Sequence, residues 1–224
     1  MSTPLPPWFV TMVFHRVEIE LRHIEACREE VESMLHAEVQ RLEQRLRSEA
    51  DQMEEDERQE LYEHHEDTHW ELSDVFPRLI RNSMFVMSYT FLEWGLLELC
   101  AVLAQIRPNA ISVKDLQGRP IEQARAYIAK VQGVPFPAET AEWQEIGAYR
   151  QIRNVIVHRN GIVAESDKVI RQIIEKNPAF AALDQHGHLS IHSEGCRNTT
   201  NTIRAFFKLV FGRAFDHVKQ QPST

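Results

Sequence analysis

The amino-acid sequence predicts a predominantly all-α protein, in which a long coiled-coil-like helix precedes a helical bundle. Residues 8–76 contain neither proline nor glycine, so no strong helix breaker interrupts them. Apolar side chains recur there at close to the helical repeat with charged residues around them, as in a coiled-coil seam. These positions are Val17, Leu21, Ile24, Val31, Leu35, Val39, Leu42, Leu46 and Met53. Polar and apolar residues alternate only over residues 187–192, which predicts a short β-hairpin or extended segment.

The long N-terminal helix is expected to end at Ser73-Asp74, because Pro77 follows and the residue before a proline disfavours helix. We place a domain boundary there, so that residues 1–76 form a long acidic helix and residues 77–224 form the bundle. The apolar seam needs a cover, since isolated helices are only marginally stable in water. Pairing with a second copy, folding back on the second half, or docking a different protein would each provide one.

The second half of the sequence predicts several helices around one core. Residues 79–106 are apolar on more than one face, which is typical of a helix in the middle of a bundle. Glu93 and Glu98 lie within this helix and need partners; an arginine of the polar stripe on the helix at residues 138–160, described below, is a natural candidate for one of them. Shorter or amphipathic helices are predicted at residues 121–131, 138–160, 167–176 and 199–218.

Composition and targeting signals favour a soluble, cytoplasmic protein with no membrane partner. Residues 84–106 approach transmembrane length, but Glu93 would then lie near the middle of the bilayer at a cost of several kcal/mol. Residues 1–8 lack a basic region followed by an apolar core, so we expect no secretory signal. The three cysteines are far apart, which favours reduced thiols and gives no zinc motif.

The charges are segregated along the chain, although the net charge is −8. Residues 1–75 hold 7 basic and 20 acidic side chains, whereas residues 76–224 hold 18 basic and 13 acidic ones. An acidic protein is a poor partner for nucleic acid, but the basic second half removes that objection.

Two groups of histidines raise the alternative of a metal site. His65 and His69 have the four-residue spacing of ligands on one helix face, but no matching third ligand can be identified. His186, His188 and His192 lie in the predicted extended segment, where a polar, partly exposed hairpin is the simpler interpretation. We therefore predict neither a metal nor another cofactor.

A polar stripe follows one face of the helix predicted at residues 138–160. Its members are Gly147, Arg150, Asn154 and His158, spaced three, four and four residues apart. Arg153 lies beside this stripe, and Asn160-Gly161 supplies the left-handed residues that commonly end a helix. A solvated helix face is the plain alternative, because such polar groups are costly to bury without partners.

The segment Arg153-Asn154-Val155-Ile156-Val157-His158 resembles the signature of HEPN domains (higher eukaryotes and prokaryotes nucleotide-binding). That signature is an arginine, a polar residue, a few intervening positions and a histidine, on a late helix of an all-α bundle. An earlier apolar helix with an acidic residue, here Glu93, is also similar to the family pattern. The resemblance covers residues 78–215 and leaves the long N-terminal helix outside.

The resemblance implies a metal-independent endoribonuclease that cleaves RNA by attack of the ribose 2′-hydroxyl, as a toxin or an antiviral or stress-defence effector. By analogy, Arg153 contacts the scissile phosphate, and His158 handles the protons of 2′-hydroxyl attack and 5′-oxygen departure. Asn154 orients either the phosphate or the histidine. Arg150 and Arg159 are expected to bind substrate. The residue types suit this chemistry, since a guanidinium pairs bidentately with phosphate and a histidine titrates near neutrality.

Family members usually build the site from two facing copies, which implies a homodimer. Gly147 would permit the close approach of a second backbone, and Glu93 would offset the repulsion between facing arginines. RNA, a second copy and an antitoxin or regulatory protein are the expected partners. The alternative is a non-catalytic HEPN-like module for nucleotide binding or dimerisation, in which His158 is held by a structural hydrogen bond instead of facing a basic cleft.

Overall fold

Helices dominate the computed structural model, which describes residues 6–220. Within these residues the helices are α1 (Trp8–Ala50), α2 (Glu55–Trp70), α3 (Phe76–Ile106), α4 (Pro120–Ala126), α5 (Ala141–Arg159), α6 (Lys168–Lys176) and α7 (Ser193–Gln220). The strands β1 (Ala181–Leu183) and β2 (Leu189–Ile191) pair antiparallel, with Ala182 opposite Ser190. The predicted all-α class and the predicted hairpin are therefore confirmed.

The N-terminal half is a helical hairpin, and the predicted helix end at Ser73-Asp74 is wrong. The turn lies at residues 51–54, where Glu54 caps α2 and its N–H donates to the Glu57 carboxylate at 3.2 Å. From Glu55 the chain stays helical as far as Ile106. A wider π-type turn at Glu71–Val75 leads into α3 and accommodates Pro77, whose ring and missing N–H would disturb an ordinary turn.

The apolar seam of α1 folds back on the same chain: positions near both ends are buried, and Ile24, Val31, Leu35 and Val39 between them are partly buried. Val10, Val17 and Leu21 are buried in one hydrophobic cluster with residues of α3 and α7. Leu42 and Leu46, nearer the turn, are buried where α1 packs against α2 and the π-type turn. The proposed boundary at residue 76 thus lies within a continuous helix, and whether the two parts fold independently stays a prediction.

Charges placed in the distal part of this seam should destabilise the protein. We expect Leu42→Asp combined with Leu46→Asp to cost about 4 kcal/mol or more, because two buried leucines are lost and two carboxylates are desolvated. Thermal denaturation measures the loss, and Met34→Asp is the matched control because Met34 is 63% exposed on the same helix. A double variant that melts with the wild type would show that the hairpin does not form.

One helix of the described residues, Glu55–Ile106, is long and apolar enough to cross a membrane by length and composition alone. Half of its most apolar window is buried inside the fold, and the core helix of a soluble protein passes the same test. Residues 1–5, part of the segment where no secretory signal is expected, lie outside the described residues.

The core around α3 and α7 includes Phe85, Tyr89, Leu92, Leu96, Leu99, Ile203, Phe206, Phe207 and Val210.

The remaining elements place α5 against α3 and α7. Thr140 caps the start of α5 by accepting the N–H of Trp143 at 3.4 Å, and Asn160 ends it with φ 50°. The β1–β2 hairpin is held against α3 by Asn82, which donates to the Leu189 carbonyl at 2.9 Å and accepts the Ile191 N–H at 3.1 Å. The predicted helices of the second half are all present, although α7 begins at Ser193, six residues before the predicted start at residue 199.

Candidate functional site

Three residues of the polar stripe, Arg150, Asn154 and His158, line a cleft of about 380 Å³ at the place where α3, the start of α4 and α5 meet. The residues of this cleft are Tyr89, Glu93, Arg119, Pro120, Ile121, Arg150, Arg153, Asn154 and His158. Five residues singled out from the sequence, Glu93, Arg150, Arg153, Asn154 and His158, are therefore brought together. They come from two helices that are far apart in the chain, so the fold and not the motif alone creates the cleft.

Arg153 lies on the wall of the cleft and is partly buried. Its Nη1 donates to the Asn154 side-chain oxygen at 3.4 Å, so the neighbouring amide helps to hold the guanidinium. The Nε atom of Arg153 is buried and has no hydrogen-bond partner among the residues that the structure describes. Buried polar groups are nearly always paired, so this unpaired N–H calls for an explanation.

Arg150 lies one turn earlier on α5 and is held from α4. Its Nη1 donates to the Glu122 carboxylate at 2.9 Å, across a partly exposed pair. The same carboxylate group accepts the backbone N–H of Arg119 at 3.2 Å, which fixes the start of α4. Glu122 therefore fixes the position of two residues of the cleft, the Arg150 guanidinium and the Arg119 backbone.

Glu93 is the acidic residue of the cleft, and it is half-buried on α3. Burial raises the pKa of its carboxyl group, and the positive charges of Arg153 and Arg119 offset only part of that increase. The expected arginine partner of Glu93 is thus Arg153, acting through its charge. Glu98, the other acidic residue of this helix, pairs instead with Arg16 of α1 at 3.5 Å.

His158 lies at the exposed end of the cleft, in the last turn of α5. Two other predicted residues lie outside the cleft lining. Arg159 pairs with Asp167 at 2.6 Å, next to the start of α6. Gly147 is exposed, and a Cβ atom added there would meet no atom within 4 Å.

Sequence reasoning missed two residues of the cleft that carry polar groups, Tyr89 and Arg119, besides Pro120 and Ile121. Tyr89 belongs to an apolar helix and is indistinguishable in the sequence from a core aromatic residue. Its position four residues before Glu93 places both on one face of α3, which is the signal that could have identified it. Arg119 precedes Pro120 in a connecting segment, and only the contact between α3 and α4 brings it to the cleft.

Within residues 6–220, no group of three or more His, Cys, Asp or Glu side chains is arranged to hold a metal ion. His69 contacts the Glu43 carboxylate at 3.4 Å. His188 contacts Asp184 at 2.9 Å in the hairpin loop, as a polar hairpin predicts. The cleft itself offers guanidinium groups, an amide, a carboxyl group and an imidazole, which suit an oxyanion ligand and proton transfer.

Comparisons with protein-family models, curated proteins and solved structures give no match to this chain. The resemblance to HEPN domains therefore stays a prediction that rests on the motif, its helix and the bundle.

Proposed function

We propose that this protein is a metal-independent endoribonuclease of the HEPN type. The observation that carries the proposal is a single cleft in which Arg153, Asn154 and His158 lie together with two further arginines. Three guanidinium groups against one carboxyl group in the cleft lining favour the binding of a phosphodiester. The exposed imidazole of His158 in the cleft lining supports the proposal, because a substrate strand can reach it.

The proposed reaction is a transesterification within the RNA strand, in which the phosphorus exchanges its bond to the 5′-oxygen for a bond to the 2′-oxygen. His158 takes the proton of the ribose 2′-hydroxyl, whose oxygen attacks the phosphorus, and the bond to the 5′-oxygen breaks. Arg153 stabilises the negative charge that grows on the non-bridging oxygens, and Asn154 holds its guanidinium. The departing 5′-oxygen takes a proton from a general acid, and the products carry a 2′,3′-cyclic phosphate and a 5′-hydroxyl end.

The general acid is supplied in this proposal by His158 of a second copy, which makes a homodimer the active form. The exposed Gly147, on the same face as Arg150 and Asn154, leaves space for the second backbone. The α1 seam is not required for this contact, because it is covered within the chain.

Replacing Gly147 by leucine should weaken both dimerisation and cleavage without unfolding the bundle. The side chain enters open space and leucine favours helix more than glycine does, so the folded monomer gains stability. Light scattering and a cleavage assay measure the two effects. Gly212→Leu is the matched control, since that helical glycine is also unobstructed but lies on α7. A monomeric Gly147→Leu protein with full activity would contradict the composite site.

The proposed biological setting is cytoplasmic, as a toxin or an antiviral or stress-defence effector restrained by an antitoxin or regulatory protein. The acidic outer surface of the α1–α2 hairpin and the basic cleft give such a partner two chemically distinct faces.

The alternative function is a non-catalytic nucleotide-binding or dimerisation module. The arginines of the cleft favour it as much as they favour catalysis, because they would hold a phosphate in either case. The exposed position of His158 at the cleft supports the enzyme instead, since a purely structural histidine would be packed away. A ribonuclease assay with EDTA present, comparing the wild type with His158→Ala, separates the two. Binding of RNA without any cleavage product would establish the module.

A further inference from the structure

Two buried hydrogen-bond donors on the wall of the cleft lack partners. Tyr89 is 1% exposed, and its hydroxyl group has no hydrogen-bond partner among the described residues. The Nε atom of Arg153, on α5, is likewise buried and has no hydrogen-bond partner among the described residues. Buried polar groups are nearly always paired, and each exception calls for an explanation. Because both side chains line one cleft, a single ligand would explain both.

The charge around these donors favours an anion. The hydroxyl of Tyr89 stays protonated, because burial, together with the charge of Glu93, raises its pKa to about 12 despite the nearby arginines. It can therefore donate a hydrogen bond at neutral pH. Arg119 adds a third guanidinium group, whose positive charge acts on both Tyr89 and Glu93. The cleft thus combines a buried neutral donor with cationic donors, of which Arg153 is partly buried and Arg119 is exposed.

We propose that Tyr89, Arg119 and Arg153 form a phosphate-binding pocket in the cleft, in which a shift of the covering side chains lets the Tyr89 hydroxyl and the Nε of Arg153 each donate to a phosphate oxygen. The choice of a phosphodiester as the natural ligand rests on the proposed function. The pocket makes Tyr89 and Arg119 substrate-positioning residues, with Tyr89 on its buried side and Arg119, like His158, on its exposed side.

Replacing Glu93 should change the phosphate affinity in the opposite direction to replacing a donor. Its carboxylate and a bound phosphate would compete for the same two arginines, Arg119 and Arg153. Removing the negative charge by Glu93→Gln should therefore tighten phosphate binding, whereas removal of a donor should weaken it. A residue that only stabilised the fold would not produce this pair of opposite changes.

The test is calorimetric titration of the full chain with inorganic phosphate, against chloride at equal ionic strength. Tyr89→Phe should weaken binding about tenfold, and Arg119→Ala at least as much, as for hydrogen bonds to a charged group. Arg197→Ala removes an equal charge from an exposed pair with Glu194 and should leave the affinity unchanged. If the wild type binds no phosphate, or if Tyr89→Phe binds it as tightly, the pocket is disproved.

A second pair of variants separates binding from folding. Without phosphate, Tyr89→Phe should melt no lower than the wild type, because the lost hydroxyl had no partner. Tyr127→Phe should melt lower, because its buried hydroxyl accepts a hydrogen bond from Gln132 at 2.9 Å, yet it should keep the phosphate affinity. A lower melting temperature for Tyr89→Phe would assign the hydroxyl a structural partner and overturn the proposal.

The pocket and the enzyme can fail separately. Phosphate binding by a wild-type protein that cleaves no RNA would refute the enzyme and retain the pocket. Conversely, RNA cleavage that is unchanged in Tyr89→Phe and Arg119→Ala would refute the pocket and retain the enzyme.

Discussion

Replacing His158 by alanine should reduce RNA cleavage by a factor of about 10²–10⁴, the usual loss when an acid–base group is removed. Replacing Arg153 by alanine should cost about 10²–10³, because the developing charge on the phosphate loses a fixed donor. Both residues line the cleft, but they would act on different atoms of the substrate. The products of the wild type should carry 2′,3′-cyclic phosphate ends and should form in the presence of EDTA.

The fold should survive the change at His158, because this side chain is exposed at the end of α5. Equal melting temperatures of wild type and variant would therefore show that the loss of activity does not come from unfolding. His64→Ala is the matched control, since His64 is an exposed histidine on α2, far from the cleft in the chain. Full activity of His158→Ala, with the wild type active, would exclude this histidine from the mechanism.

The composition of the α5 face was predictable because one helix carries it, and helical spacing alone places Arg150, Asn154 and His158 together. The residues that complete the cleft were not, since they come from α3 and α4 and depend on tertiary packing. The turn at residues 51–54 was also missed. It contains no glycine or proline, and it is stabilised by the Glu54 cap and by the burial of Leu42 and Leu46 on the α1 side of the turn.

Arg28 shows how the sequence nevertheless carried information on this packing. It occupies a position where the apolar seam of α1 lacks an apolar residue, and it is 3% exposed. Its guanidinium contacts the Glu32 carboxylate at 3.1 Å and donates to the Ser193 hydroxyl at 2.8 Å. The Nε atom of Arg81, on α3, donates to the same carboxylate group at 3.0 Å. Glu32 therefore joins α1 to α3, and Arg28 joins α1 to α7.

The protonation state of Glu32 makes this junction sensitive to acid. Burial raises the pKa of its carboxyl group, but the hydrogen bond from Arg81 and the charges of Arg81 and Arg28 outweigh it, so the pKa is lowered overall. Because the pKa is lower in the folded than in the unfolded state, Glu32 stabilises the fold at pH values above the ordinary glutamate range. That contribution is lost as the pH falls through the folded-state pKa.

Removing this carboxylate should produce a large loss of stability at neutral pH. We expect Glu32→Ala to cost about 3 kcal/mol, because the buried Arg28 and the partly buried Arg81 both lose a partner. For a chain of this size that loss corresponds to a melting temperature lower by roughly 6–12 °C. Calorimetric or spectroscopic melting measures it. Glu38→Ala is the matched control, since its pair with Arg41 on the same helix is exposed and should contribute about 1 kcal/mol or less.

The pH dependence of the difference between wild type and Glu32→Ala tests the cause. At neutral pH the difference should be at its largest, and it should shrink in acid as Glu32 of the wild type becomes protonated. The difference for Glu38→Ala should stay small throughout. If the Glu32→Ala difference were equal at neutral and acidic pH, the lost stability would come from packing alone, and the ion pairs at Arg28 and Arg81 would not hold α1 against the bundle.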